Sequence, residues 1–261
     1  MARIVAVVPA RMRSSRFPGK PLGLLLGRPM IEHVVRRAAM CDRLDAVYVA
    51  TCDDEIRTVV QGFGGSVIMT SAAHERASDR VAEAAERVDA DIVVMIQGDE
   101  PMIVPEMIAA AVAPMLNDPS IECVNLARRI NRIEEYLDPN TIKVVTDLHG
   151  NALYFSRAPI PCVDLGRHTD CPVFKQVCVI PFRRGFLRDF ARLHQTPLER
   201  AESVDMLRVL EHGGRVRIVV RDEETYAVDT PDDLRRVEAH MKADPLRGRY
   251  AEPGALLEAR R

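Results

Sequence analysis

No apolar run in this sequence approaches the length of a membrane span, and the first hydrophobic stretch, Ile4 to Val8, is far too short for a signal-peptide core. A membrane protein is not expected, and the chain reads as cytoplasmic. Excess charge is missing too: 36 basic and 38 acidic residues leave a formal net charge of -2, which gives no global attraction to nucleic acid or to an anionic lipid surface. An anionic ligand must therefore be met by a local cluster. The 6 cysteines (Cys41, Cys52, Cys123, Cys162, Cys171 and Cys178) form no CxxC pair, which fits reduced thiols rather than a disulfide framework. Cys162, Cys171 and Cys178 have only His168 beside them as a further ligand, so no structural zinc site is expected. Internal repeats and low-complexity tracts are also absent.

What is present is a chain of 261 residues, 47% hydrophobic, long enough to bury the core of one large α/β domain. Short β-branched runs at Ile4–Val8, Ala46–Ala50, Ser66–Met69 and Asp91–Ile96 alternate with helical periodicity at Met30–Met40, Asp54–Gln61, Asp79–Val88 and Pro105–Leu116. That order predicts a mostly parallel sheet with helices on both faces. Ser78 and Asp53 stand where helix N-caps belong. From about Ile121 the pattern changes, and Ile142–Thr146 and Asn151–Ser156 flank a turn, which predicts a hairpin in a smaller antiparallel insertion. The stretch Arg157 to Pro172, broken by Pro159, Pro161 and Gly166, reads as an exposed arm. Helices are expected over Arg184–Leu193, Leu198–His212 and Pro231–Met241, a strand over Val216–Val220, and a poorly ordered tail after Asp244.

Chemistry concentrates in the loop after the first strand, where Arg11, Arg13, Arg16 and Lys20 stand among small and turn-forming residues. Parallel sheets bind ligands at the carboxyl ends of their strands, and cations there suit a polyphosphate. The loop has neither the GxxxxGK[ST] nor the GxGxxG glycine spacing, so it is not a Walker or dinucleotide loop. The run Val93–Ile96 leads into Gln97-Gly98-Asp99-Glu100-Pro101, which sets Asp99 at the same sheet edge, where a carboxylate suits Mg2+; ordinary turn chemistry is the alternative. A second carboxylate, Asp229, could return to that metal ahead of the helix start Thr230-Pro231. His33 shares a helix face with Met30 and Arg37 and reads as packing, and most methionines as core filling.

With PARxxSSRFPGKPL, IQGDEP, NxIKVVxDxxGxALYFSRAPIP and VDTPxDL in this order, the chain resembles the CMP-sugar-acid synthetases, most closely the 3-deoxy-manno-octulosonate (KDO) cytidylyltransferases, from about Ile4 to about Met241. The resemblance implies one nucleotidyltransferase domain over 1–243, with a CTP-binding half at about 1–120 and an acceptor and dimer-arm half at about 121–215, followed by the tail 244–261. It places Ala10, Arg11, Ser14, Arg16 and Lys20 around the CTP phosphates, with Arg11, Arg16, Lys20 and Asp99 in the catalytic set. His74, Ser78 and Arg80 would lie near the cytidine, and Asp99 and Asp229 would hold Mg2+. Gln97 and Arg157 would face a small acidic acceptor. The implied reaction is attack by an acceptor hydroxyl on the α-phosphorus of CTP, with pyrophosphate leaving, in a cytoplasmic homodimer whose contact includes the 157–172 arm.

Departures from the family pattern fall on the acceptor side. The expected His is Gln176, the expected Tyr is Ile180, and a Glu-Gln pair is Asp205-Met206. Coordinated loss of polar groups points to a changed acceptor, since a pocket built for hydroxyls would otherwise keep unpaired partners. Besides KDO, the readings left open are another sugar acid or a phosphonate, and a non-catalytic nucleotide-binding regulatory protein. A sugar-1-phosphate nucleotidyltransferase would carry a glycine-rich first loop.

Overall fold

The computed structural model describes residues 2–14, 17–163 and 171–250. Arg16, His168 and the centre of the 157–172 arm therefore lie outside the described residues. Among those described, no helix is long and apolar enough to cross a membrane. The chain divides into two compact units, one built from the chain up to Ala109 and from Glu224 onward, the other from Ala110–Glu223.

The first unit opens with β1 (Ile4–Pro9), buried at every position, and a two-stranded ribbon, β2 (Leu24–Leu25) and β3 (Arg28–Pro29). The two residues joining the ribbon, Leu26 and Gly27, both have positive φ (48° and 80°), as a type I′ hairpin turn requires. Then follow α1 (Met30–Ala39), β4 (Ala46–Thr51), α2 (Asp54–Gly62), β5 (Ser66–Met69), α3 (Ala77–Glu86) and β6 (Ile92–Ile96). Helix α4 (Pro105–Asn117) covers the point in the chain where the second unit begins. Strands β6, β1, β4 and β5 lie side by side in that order, all parallel, with Val5 opposite both Ala46 and Val93. Because the chain moves outward from β1 through β4 to β5 and then returns to the other side of β1 with β6, the order reverses between β1 and β6. Such a reversal opens a crevice at the carboxyl ends of the two strands.

The second unit contains β7 (Val124–Arg129), α5 (Ile133–Leu137), the hairpin β8 (Lys143–Thr146) and β9 (Ala152–Ser156), β10 (Phe174–Val177) and β11 (Val179–Arg183). Helices α6 (Arg184–Phe190), α7 (Pro197–Glu202) and α8 (Met206–Glu211) precede β12 (Arg217–Arg221). Its sheet runs β12-β7-β10-β8-β9; β12 joins β7 in parallel and the other pairs are antiparallel. The last helix, α9 (Pro231–Lys242), belongs to the first unit, where Val237 and Met241 pack with Val228 on Leu25 and Met30. Thr230 and Asp233 start it with a reciprocal capping box.

Four local expectations change. The single helix over 198–212 is two helices, broken at Ser203 (φ 55°). The break lets Glu199 and Arg208 meet: Arg208 Nη2 donates to Oε1 at 2.6 Å and Nε to Oε2 at 2.8 Å. In one continuous helix their nine-residue separation would be about 13 Å along the axis. Ser78 is not a cap, because α3 already begins at Ala77 and Ser78 is buried in its first turn. Asp53 occupies the N-cap of α2 but makes no side-chain capping bond there; its Oδ2 accepts instead from Met12 N–H at 2.8 Å. Within the tail, Pro245–Tyr250 form a 3-10 helix and Tyr250 is buried against His33.

Candidate functional site

The centre of the first unit's site is the Lys20 ammonium. Loop 10–19 is drawn together from both ends: Ala10 N–H donates to Ala50 O at 2.9 Å, and Gly19 N–H to Met12 O at 2.9 Å. Gly19 (φ 73°) turns the chain in the left-handed region and starts the short 3-10 helix Lys20–Leu22. Lys20 Nζ donates to Asp99 Oδ2 at 2.7 Å, Val228 O at 2.8 Å and Asp229 Oδ1 at 3.4 Å. Burial works against its charge, but attraction and hydrogen bonds from Asp99, then Asp229, outweigh it and raise its pKa above the ordinary lysine value.

Backbone packing sets both carboxylates. Asp99 follows β6 at the crevice, and its carbonyl accepts from Val228 N–H at 3.0 Å, so the residue preceding Asp229 is joined to Asp99 directly. At Gly98 a Cβ would stand 3.2 Å from Pro9 O and 3.3 Å from Ile31 Cδ1, a fit that favours glycine between β6 and Asp99. Asp229 N–H donates to Asp233 Oδ2 at 3.1 Å, inside the α9 capping box. Lys20, Asp99 and Asp229 are thus brought together at the reversal of the sheet.

The remaining candidates of this unit lie on neighbouring loops. Arg11 is exposed and reaches Glu75 O at 3.3 Å; Ser14 Oγ accepts from Phe17 N–H at 3.3 Å. His74 Nε2 meets Glu83 Oε2 at 2.6 Å, and Glu83 also accepts from Ser71 N–H and Arg87. Burial alone would raise the Glu83 pKa, yet the Ser71 N–H, then His74 and Arg87, hold it below its ordinary value. Arg80 is buried and donates to Thr70 Oγ1 at 2.5 Å. Gln97 is half-buried, and its carbonyl accepts from Glu100 N–H at 3.4 Å.

In the second unit, Arg157 is held by its own backbone and side chain: N–H to Glu202 Oε2 at 2.8 Å, Nε to Glu202 O at 2.7 Å and Nη1 to Pro139 O at 3.0 Å. Lys143 Nζ gathers the carbonyls of Asp138, Thr141 and Arg157 within 2.9 Å. Gln176, on β10, donates to Asn125 Oδ1 at 2.5 Å, while Asn125 Nδ2 donates to the carbonyls of Leu126 and Val177. Asp205 occupies the N-cap position of α8. Ile180 and Met206 are core side chains, Met206 lying 3.8 Å from Cys123 Sγ, and so present little to a ligand. Sequence reasoning missed the partners Glu83, Asn125, Lys143 and Glu202, and of Asp53 it read only the cap position.

A parallel sheet whose strand-order reversal carries a cationic turn and two acids is built to receive a phosphate-bearing ligand. Comparisons with known proteins agree. Residues 5–221 match the model of the cytidylyltransferase family. A 3-deoxy-manno-octulosonate cytidylyltransferase of Syntrophotalea carbinolica is 48% identical over 92% of this chain and 98% of its own, and one of Geobacter metallireducens 47% identical over 90% and 96%. A CMP:2-keto-3-deoxy-manno-octonic acid synthetase solved in complex with CTP superposes with a TM-score of 0.86 at 39% identity, covering 92% of this chain and 99% of the other. A 4-diphosphocytidyl-2C-methyl-D-erythritol synthase from Anaerococcus prevotii shares the fold, with a TM-score of 0.62 at 13% identity over 92% and 96%. The chain belongs to the cytidylyltransferase family.

Proposed function

We propose that this enzyme transfers CMP from CTP to the hydroxyl of KDO and releases pyrophosphate. The observation that carries the reading is the convergence of Lys20 with Asp99 and Asp229, at 2.7 and 3.4 Å, on the edge where a parallel sheet receives phosphates. Relatives 45–48% identical over nearly their whole length bear the KDO cytidylyltransferase name, which favours KDO over other acids.

The two carboxylates suit Mg2+. They are hard oxygen donors, and the ammonium between them stands where a cation balances their charge. Among the described residues no cluster of three or more His, Cys, Asp or Glu could hold a metal, so phosphate oxygens and water would complete the coordination. When bound, Mg2+ would neutralise phosphate charge and acidify a nearby hydroxyl. The rest is alignment, because phosphoryl transfer asks little covalent chemistry of the protein. Lys20, released from the carboxylates, moves its charge to the triphosphate, and Arg11 adds a second cation. In the same reading Ala10 and Ser14 line the phosphates, with Arg16 as a further cation, and His74, Ser78 and Arg80 lie on the cytidine side. Gln97, Arg157, Gln176 and Asp205 are the acceptor contacts; the buried Met206 supports them from the core. A cytoplasmic homodimer completes the proposal.

Pyrophosphate release from CTP with Mg2+, run against KDO, other sugar acids and phosphonates, tests it. Release with KDO alone or KDO preferred supports the reading. Preference for a phosphonate overturns the acceptor, and CTP binding without turnover on any acid overturns the enzyme assignment.

A further inference from the structure

Helix α1 carries a buried arginine that none of the reacting groups accounts for. Arg37 is fully buried, and its guanidinium is spent on two separate pieces of the first unit. Nη1 donates to Met102 O at 3.3 Å and to Ile103 O at 3.2 Å. Nε donates to Tyr250 OH at 3.2 Å, and Nη2 pairs with Asp244. The first two carbonyls end the turn that begins at Gln97, in which Glu100 N–H returns to Gln97 O and Ile103 N–H to Glu100 O. Asp99 sits within that turn. Its near end is packed through Gly98 against Ile31, also on α1, and its far end is held by Arg37. One helix thus clamps both ends of the segment that presents Asp99.

The other half of the arrangement is the C-terminal segment. His33 Nε2 faces Leu25 O at 2.8 Å; because a carbonyl only accepts, that nitrogen carries the proton, and Nδ1 is left to accept from Tyr250 OH at 3.0 Å. Tyr250 OH therefore donates to His33 and accepts from Arg37, which uses both of its roles. Asp244 supplies the counter-charge. A buried guanidinium with these partners has one arrangement available to it, and losing a partner leaves a desolvated donor free to turn away from the Met102 and Ile103 carbonyls.

We propose that Arg37 is a positioning residue for Asp99, and that the 244–250 segment, through Asp244 and Tyr250, locks Arg37 in that task. The proposal rests on the reading of Asp99 and Asp229 as metal ligands. A direct hydrogen-bond partner of a metal ligand is typically worth about 10- to 100-fold in metal affinity; Arg37 acts through the Met102 and Ile103 carbonyls, three and four residues beyond Asp99, so its effect falls below that range.

The test uses the full chain with Mn2+ as probe, its binding in the presence of CTP followed by loss of the free-ion EPR signal, at a temperature well below each variant's Tm. Tyr250→Phe and Asp244→Asn should each weaken Mn2+ binding by about threefold, less than the loss of a direct partner of the ligand would, while leaving the KM for CTP near the wild-type value; Arg37→Gln should do more. If Arg37→Gln does not fold, the other two decide. Wild-type Mn2+ affinity in both, with only Tm lowered, overturns the positioning role. Asp99→Asn serves as the reference: unchanged Mn2+ binding there would instead overturn the metal-site reading on which the proposal stands.

Discussion

Lowering the pH from 7 to 5 should cost this protein stability through one side chain, His33. Burial, more than any neighbouring charge, pushes its pKa from the usual 6.5 down to about 4, and both ring nitrogens are engaged in the neutral form. The folded state therefore resists the proton that the unfolded chain accepts. The stability due to the neutral ring is fully present above pH 6.5 and is lost as the pH falls toward 4, because in that window the unfolded state binds more protons. The whole gap corresponds to about 3 kcal/mol, of which about 2 kcal/mol is already gone at pH 5. The carboxylates held below their ordinary values, Glu83, Asp118, Asp147, Glu211, Glu223 and Asp233, lose their contributions only as the pH drops through the acid range below theirs, so pH 5 separates them from His33. Urea unfolding of the wild type and of His33→Gln at the two pH values measures the term. The wild type should lose about 2 kcal/mol more than the variant between pH 7 and 5. Equal losses would refute the reasoning, as would an NMR titration of His33 near 6.5.

Further substitutions bear on the site and on the second unit. Lys20→Met and Asp99→Asn should each lower kcat by about 10²-fold or more, with Asp99→Asn still binding CTP in equilibrium dialysis; near-normal turnover in either would reject its role. Arg208→Met should destabilise by about 3–5 kcal/mol in thermal or chemical unfolding, because it strands Glu199, whose side chain is fully buried. Converting Glu199 to Leu in the same chain should recover much of that loss, and failure to recover would mean that packing, not the unpaired charge, is responsible.

The strands and helices of the first unit were legible because their pattern is local. The all-buried Ile4–Pro9 and Ile92–Ile96 strands read as continuous apolar runs, and α1 carries its amphipathic period plainly. Lys20 was legible as a cation of the loop after the first strand, and Asp99 as an acid at the end of another. What escaped depends on partners distant in the chain. Asp53 looks like a cap because caps are local, yet its carboxylate accepts from Met12 N–H, 41 residues away. Tyr250 sits in a stretch whose composition suggests a loose tail, and its hydroxyl is held by the buried His33 and Arg37, more than 200 residues earlier. The helix break at Ser203 leaves no mark in the apolar period, since the Glu199–Arg208 pair that requires it is a tertiary contact. Among the residues read from the sequence as acceptor contacts, the sequence does not distinguish Gln176, which is hydrogen-bonded to Asn125, from Met206, which is buried in the core.

The return of α9 to the first unit has a consequence for synthesis on the ribosome. Lys20 and Asp229 are 209 positions apart, and Val228, Val237 and Met241 complete the hydrophobic cluster around Leu25 and Met30. A nascent chain that has already exposed its whole parallel sheet still has an open flank and a lysine with only one of its acids. Lys20 meets its second acid only once residues 228–241 have been made, and until then Leu25 and Met30 keep an unfilled apolar flank of the kind that chaperones cover.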